Sequence, residues 1–155
     1  MRRLPRLLLV DDEPDVLRSL HDLLGLLPGA DIVPAASYAD ARDLLAAGPW
    51  DAVVADQRLA DGHGLDLLAE AGRRSPRTVL VLMSAFQDFD ATLRGSNAAH
   101  VDRFFQKPVD PEGLLRWLER ALQDRAAGKG DPGRSRPFRR IGSPDARPGG
   151  DLRRL

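Results

Sequence analysis

A doubly wound α/β fold, a five-stranded parallel sheet with helices on both faces, is what this sequence predicts. Three observations carry the prediction. Short continuous apolar runs alternate with stretches whose apolar residues recur every three or four positions. Pro and Gly punctuate the boundaries between them. The apolar runs are too continuous for strands with one wet face. Five strands alternating with five helices imply a parallel sheet covered on both sides. Right-handed crossovers leave few topologies, and the order 2-1-3-4-5 is the natural choice.

The elements follow in order. Leu7-Leu8-Leu9-Val10 is the first strand, with acids directly after it. Pro14 opens the first helix, where its missing N–H would be unpaired in any case, and Val16, Leu17, Leu20, Leu23, Leu24 and Leu27 form its apolar stripe. Pro28-Gly29 stops it. Asp31 to Ala35 is a weak strand, and Pro34 puts it at a sheet edge. Ser37 caps a second helix with Ala41, Leu44 and Leu45 inward, ended by Gly48-Pro49. Asp51 to Ala55 is the third strand, followed by Asp56 and a loop to Gly64. Leu65, Leu67, Leu68 and Ala71 carry the third helix. Thr78 to Met83, the most apolar run, reads as a central strand. A weaker helix is expected over about 88–97. Arg103 to Gln106 forms the fifth strand, ending at Lys107-Pro108. Pro111 to about Arg125 is the last helix, with Leu114, Leu115, Leu118 and Leu122 inward.

The expected organisation is one domain over residues 5–125 and a disordered basic tail over 126–155. The tail is rich in Gly, Pro, Arg, Ser and Asp, and holds too few apolar residues to offset its ordering entropy. Apolar residues make up 43 % of the 155, enough for a core. The 23 basic and 23 acidic side chains balance, so net charge points to neither nucleic acid nor membrane. Cys is absent, which excludes disulfides and thiolate metal sites and fits a reducing compartment. No apolar run reaches membrane-spanning length. A cytoplasmic protein is expected.

In an open parallel sheet, ligands bind beyond the carboxyl ends of the strands. Asp11, Asp12 and Glu13 follow the first strand, Asp56 the third, Ser84 and Ala85 the fourth, Lys107 and Pro108 the fifth. Clustered carboxylates repel, and a hard divalent cation such as magnesium relieves that with oxygen ligands. Acids, metal, ammonium and hydroxyl are the parts of a phosphoryl-transfer site. A Gly-rich phosphate loop is missing, so ATP is not the expected donor. Each residue also has a plainer reading. The acids can be helix-start charges in a solvated turn, Asp56 a loop cap, Ser84 a turn hydroxyl, Lys107 a surface charge. The chain has only two lysines, Lys107 and Lys129, against an otherwise all-Arg basic set, so an ammonium there is mildly informative. The joint placement after four strands favours the site.

Four stretches resemble response regulator receiver domains: Leu-Leu-Leu-Val-Asp-Asp-Glu-Pro at 7–14, Val-Val-Ala-Asp-Gln-Arg-Leu-Ala-Asp-Gly-His-Gly at 53–64, Val-Leu-Met-Ser-Ala-Phe at 81–86, and Phe-Phe-Gln-Lys-Pro at 104–108. The resemblance implies the flavodoxin-like receiver fold. It implies that Asp56 accepts a phosphoryl group from a histidine kinase or phosphotransfer protein. It assigns magnesium to Asp11, Asp12, Asp56 and the backbone carbonyl of Arg58. Lys107, Ser84 and Ala85 would meet the phosphoryl group, and Pro108 would follow a cis peptide bond. Phe104 resembles the switch aromatic, expected exposed until phosphorylation turns it inward. Ala60 stands where Pro is usual, an exchange expected to loosen the loop after Asp56. Residues 95–97 and 100–105 resemble a subset of regulators with a different output surface.

The expected function is a single-domain response regulator that switches partner binding, without direct DNA binding, membrane contact or turnover of a separate substrate. A phosphate carrier in a phosphorelay and a phosphorylation-independent pseudo-receiver are the alternatives. An aspartyl-nucleophile phosphatase is disfavoured because Arg58 stands where its general acid is usual. His21, His63 and His100 are scattered and take no role. Trp50 and Trp117 are expected to pack against helices.

Overall fold

The computed structural model describes residues 4–85, 87–88 and 101–128. The strands are β1 (Arg6–Val10), β2 (Asp31–Ala35), β3 (Ala52–Asp56), β4 (Arg58–Leu59), β5 (Gly62–His63), β6 (Val79–Ala85) and β7 (Arg103–Lys107). The helices are α1 (Pro14–Leu24), α2 (Tyr38–Ala46), α3 (Gly64–Arg74) and α4 (Pro111–Ala126). The main sheet is parallel, in the order β2-β1-β3-β6-β7. This is the predicted 2-1-3-4-5 topology. The middle strand is β3; β6, the most apolar, lies one place further out between β3 and β7. The helix expected over 88–97, apart from residue 88, and the tail from residue 129 lie outside the described residues.

Strand alternation splits the core into two layers. Leu8, Val10, Val53, Ala55, Leu80 and Leu82 pack on one face with α2 and α3. Leu7, Leu9, Val54, Val79, Val81 and Met83 pack on the other with α1 and α4. Both faces are therefore dry, which is why the strands read as unbroken apolar runs. Pro34 lies in edge strand β2, opposite Leu9. Ser37 Oγ accepts from the Asp40 N–H at 3.0 Å, the predicted cap of α2. The first helix ends earlier than the leucine stripe suggests: α1 stops at Leu24, while Leu27 stays buried from the turns that follow. Trp50 is buried and donates from Nε1 to the Leu44 carbonyl at 2.9 Å, with the Arg6 guanidinium over its ring. Trp117 meets Phe105 edge-on.

Candidate functional site

Parallel pairing in register brings the ends of β1, β3, β6 and β7 to one edge. Asp11 leaves β1 fully buried, Asp56 closes β3, and Asp12 is half-buried between them and solvent. One carboxylate oxygen from each lies within 4.8 Å of the others. Lys107, the last residue of β7, reaches between two of them: its Nζ is 3.4 Å from Asp11 Oδ2 and 3.3 Å from Asp56 Oδ2. The Lys107–Pro108 bond is cis. Asp11 Oδ1 accepts from the Glu13 N–H at 2.9 Å. Ser84 is buried at the end of β6, and among the described residues its hydroxyl has only a long 3.4 Å contact to the Ala85 carbonyl. Ala85 sits opposite Lys107 in the ladder.

Burial raises the pKa of Asp11 above its ordinary value, against the pull of the Glu13 amide and Lys107. Burial also raises that of Asp56, and repulsion from Asp11 adds to it. Burial by itself would depress Lys107, but the two carboxylates outweigh it and its pKa rises. The charges do not balance: three carboxylates face a single ammonium. Hard oxygen donors in a small acidic cleft with that deficit suit a divalent cation such as magnesium. The Asp11, Asp12 and Asp56 side chains therefore fit the ion.

Three features of the Asp56 loop were not legible in the sequence. It is a hairpin of β4 and β5, not an open loop. Its Ala60 N–H, which a Pro at that position could not offer, donates to Asp12 Oδ2 at 2.8 Å. Asp61 spans the gap to α2, accepting from the Tyr38 N–H at 2.8 Å and the Ala39 N–H at 3.0 Å. It thereby caps a helix whose own Ser37 reaches only Asp40. The two amides hold the Asp61 carboxyl below its usual pKa. Asp61→Ala is expected to speed amide exchange at Tyr38 and Ala39 and to lower the unfolding midpoint, with Asp61→Asn milder. Arg58 sends its guanidinium out to Asp88, with two bonds of 2.7 and 2.9 Å, while its own amide donates to the Asp56 carboxylate. Gln57 Oε1 accepts from the Leu65 N–H at 2.9 Å, capping α3, where His63 gives no side-chain bond.

Phe104 departs from expectation. The residue is 3 % exposed, packed in the α2/α3 layer. Strand alternation explains this. Phe104 takes the face shared with Leu82, its ladder partner, and leaves Phe105 on the face of Trp117. The exposed starting position expected for a switch aromatic is therefore not observed.

The fold and the cluster together define a doubly wound α/β protein with a carboxylate–lysine centre at the carboxyl edge of its sheet. The chain belongs to the response regulator receiver domain family, whose pattern matches residues 7–119. It is 37 % identical over 116 residues to the response regulator protein PilR of Pseudomonas aeruginosa, covering 75 % of this chain and 26 % of that protein. It is 33 % identical over 129 residues to the DNA-binding transcriptional activator DevR/DosR of Mycobacterium tuberculosis, covering 80 % of this chain and 55 % of that one. The chain thus spans a quarter to about half of these relatives. A response regulator receiver domain protein (CheY-like) from Methanospirillum hungatei shares the fold at a TM-score of 0.72 and 24 % identity, over 81 % of this chain and 99 % of that one. Among the described residues, no helix is long and apolar enough to cross a membrane.

Proposed function

We propose that this chain is a phosphoacceptor switch: Asp56 takes a phosphoryl group from a phosphohistidine on a kinase or phosphotransfer protein, with magnesium, and a protein partner reads the result. The supporting observation is Asp56 at the end of β3, beside two further carboxylates and 3.3 Å from Lys107 Nζ. A carboxylate oxygen of Asp56 attacks phosphorus. The new P–O bond forms as the P–N bond breaks, and the imidazole leaves with the electron pair and is protonated from solvent. The product is an acyl phosphate. Lys107 is placed to balance charge on a phosphoryl oxygen, and the Arg58 amide steadies the carboxylate. Magnesium, held by Asp11, Asp12, Asp56 and the Arg58 carbonyl, would supply positive charge against the phosphoryl oxygens. The Ser84 hydroxyl, weakly engaged, is free to turn toward the adduct.

The adduct forms on the chain's own side chain, so this is a switch and not a turnover enzyme. The reading puts it in the cytoplasm with its kinase. DevR/DosR, a DNA-binding transcriptional activator, is longer than the stretch it shares with this chain; for residues 7–119 we propose protein contact.

Acetyl phosphate with magnesium is expected to add one phosphoryl group, read by intact mass, and a chelator to suppress it. Asp56→Ala should abolish the adduct. An adduct of equal yield in that variant would move the phosphoacceptor elsewhere.

A further inference from the structure

Among the described residues, one hydrogen bond reaches the Asp12 carboxylate, and it comes from the main chain of the Asp56 hairpin: the Ala60 N–H, 2.8 Å from Oδ2. We propose that the Ala60 amide is a positioning group for the metal site, holding Asp12 toward Asp11 and Asp56 before the ion arrives. This rests on the magnesium-dependent reading above.

Electrostatics favour such a tether. Asp12 is only half-buried, and its neighbours Asp11 and Asp56 present carboxylate oxygens within 4.8 Å. A lone side chain in that position lowers its energy by rotating out into water, away from like charge. A donor N–H aimed at one carboxylate oxygen opposes that rotation and leaves the other oxygen for a ligand. Without it, magnesium binding must also bring Asp12 back.

The donor is itself anchored by bonds that involve no metal ligand. Leu59 pairs with Gly62 across the hairpin, and Asp61 fastens the turn to the first residues of α2. The Ala60 amide is thus part of a braced frame and Asp12 is the mobile partner. The arrangement depends on residue 60 not being proline, which has no N–H to give. The side chain of Ala60 plays no part in it.

The test is a magnesium titration of the full chain, with affinity read from the rise of the unfolding midpoint with ion concentration. Ala60→Pro is expected to weaken magnesium binding by about 3- to 10-fold, the range of one hydrogen bond. Ala60→Ser, which keeps the N–H, should stay within about twofold by the same measure. Equal weakening in both variants would assign the effect to a disturbed loop and overturn the proposal, as would an unchanged affinity in Ala60→Pro. If Ala60→Pro does not fold, the amide resonance of Ala60 decides. It should move upfield in metal-free Asp12→Ala, and an unmoved resonance overturns the bond. Equal magnesium binding by Asp12→Ala and wild type would place the metal elsewhere and overturn the magnesium-dependent reading as well. Binding that needs Asp12 but ignores Ala60→Pro overturns the positioning role alone.

Discussion

Gly64→Ala is expected to destabilise the protein by roughly 2–4 kcal/mol, the upper range for overpacking a well-filled site. A Cβ at Gly64 would overlap the Asp56 carbonyl oxygen, and would lie 3.0 Å from the carbonyl carbon and 2.9 Å from Leu82 Cδ1. The obstacle is backbone. Asp56 is held in the ladder opposite Met83, and the Gln57 N–H donates to the Met83 carbonyl at 2.8 Å, so the strand cannot yield locally. Whatever moves must move Asp56. The thermal midpoint should fall by about 10 °C, at several degrees per kcal/mol for a domain of this size. Labelling by acetyl phosphate should slow even where the variant is still folded. Gly48→Ala is the control, because its Cβ would lie at an ordinary 3.5 Å from the tip of the flexible Arg6 side chain. Equal midpoints for Gly64→Ala and wild type would show that the contact between α3 and Asp56 is slack.

Asp56→Asn should act in the opposite direction. In chelated buffer at neutral pH it is expected to raise stability by about 1–3 kcal/mol, on the scale seen when buried charges are replaced. Burial and the Asp11 charge raise the Asp56 pKa, so the folded chain binds this proton more readily than the unfolded one, whose value is near 3.8. Stability therefore falls as pH rises through the folded pKa, and the penalty is complete above that pKa. It fades as pH drops toward 3.8. Asp11 is raised for the same leading reason and follows the same sign. Lys107 keeps its contact to Asp11 in the variant, so no ammonium is stranded. Unfolding midpoints on a pH series descending from neutral toward 3.8 should show the gap between variant and wild type narrowing, and magnesium should narrow it at neutral pH by stabilising the wild type. A variant less stable than wild type at neutral pH without metal would mean that the Lys107–Asp56 attraction outweighs burial and repulsion.

Much of this molecule was legible in the residue order. The strands could be read because apolar continuity and helical period are local signals of which faces are dry. Leu7 to Val10 and Val79 to Met83 need no partner to announce a buried strand. Ladder topology then dictated that residues following separate strands share one edge, which is how Asp11, Asp12, Asp56, Ser84 and Lys107 could be grouped without coordinates. The Pro34 edge assignment and the Ser37 cap rested on backbone chemistry of the same local kind.

The tertiary structure decided the rest. Every residue except proline carries an N–H, so nothing in the sequence marks the Ala60 amide as the one that meets Asp12, 48 positions away. Asp61 looks like any turn acid until the chain brings α2, 22 and 23 positions earlier, under its carboxylate. Arg58 and Asp88 are 30 positions apart and pair only because two loops leave the same sheet edge. Phe104 and Phe105 are the same residue type side by side. Which one enters the α2/α3 layer depends on the register of β7 against β6, and a one-residue slip would exchange them. Periodicity states that a surface is buried; partner choice and register follow from distances between remote segments, and those exist only in the folded chain.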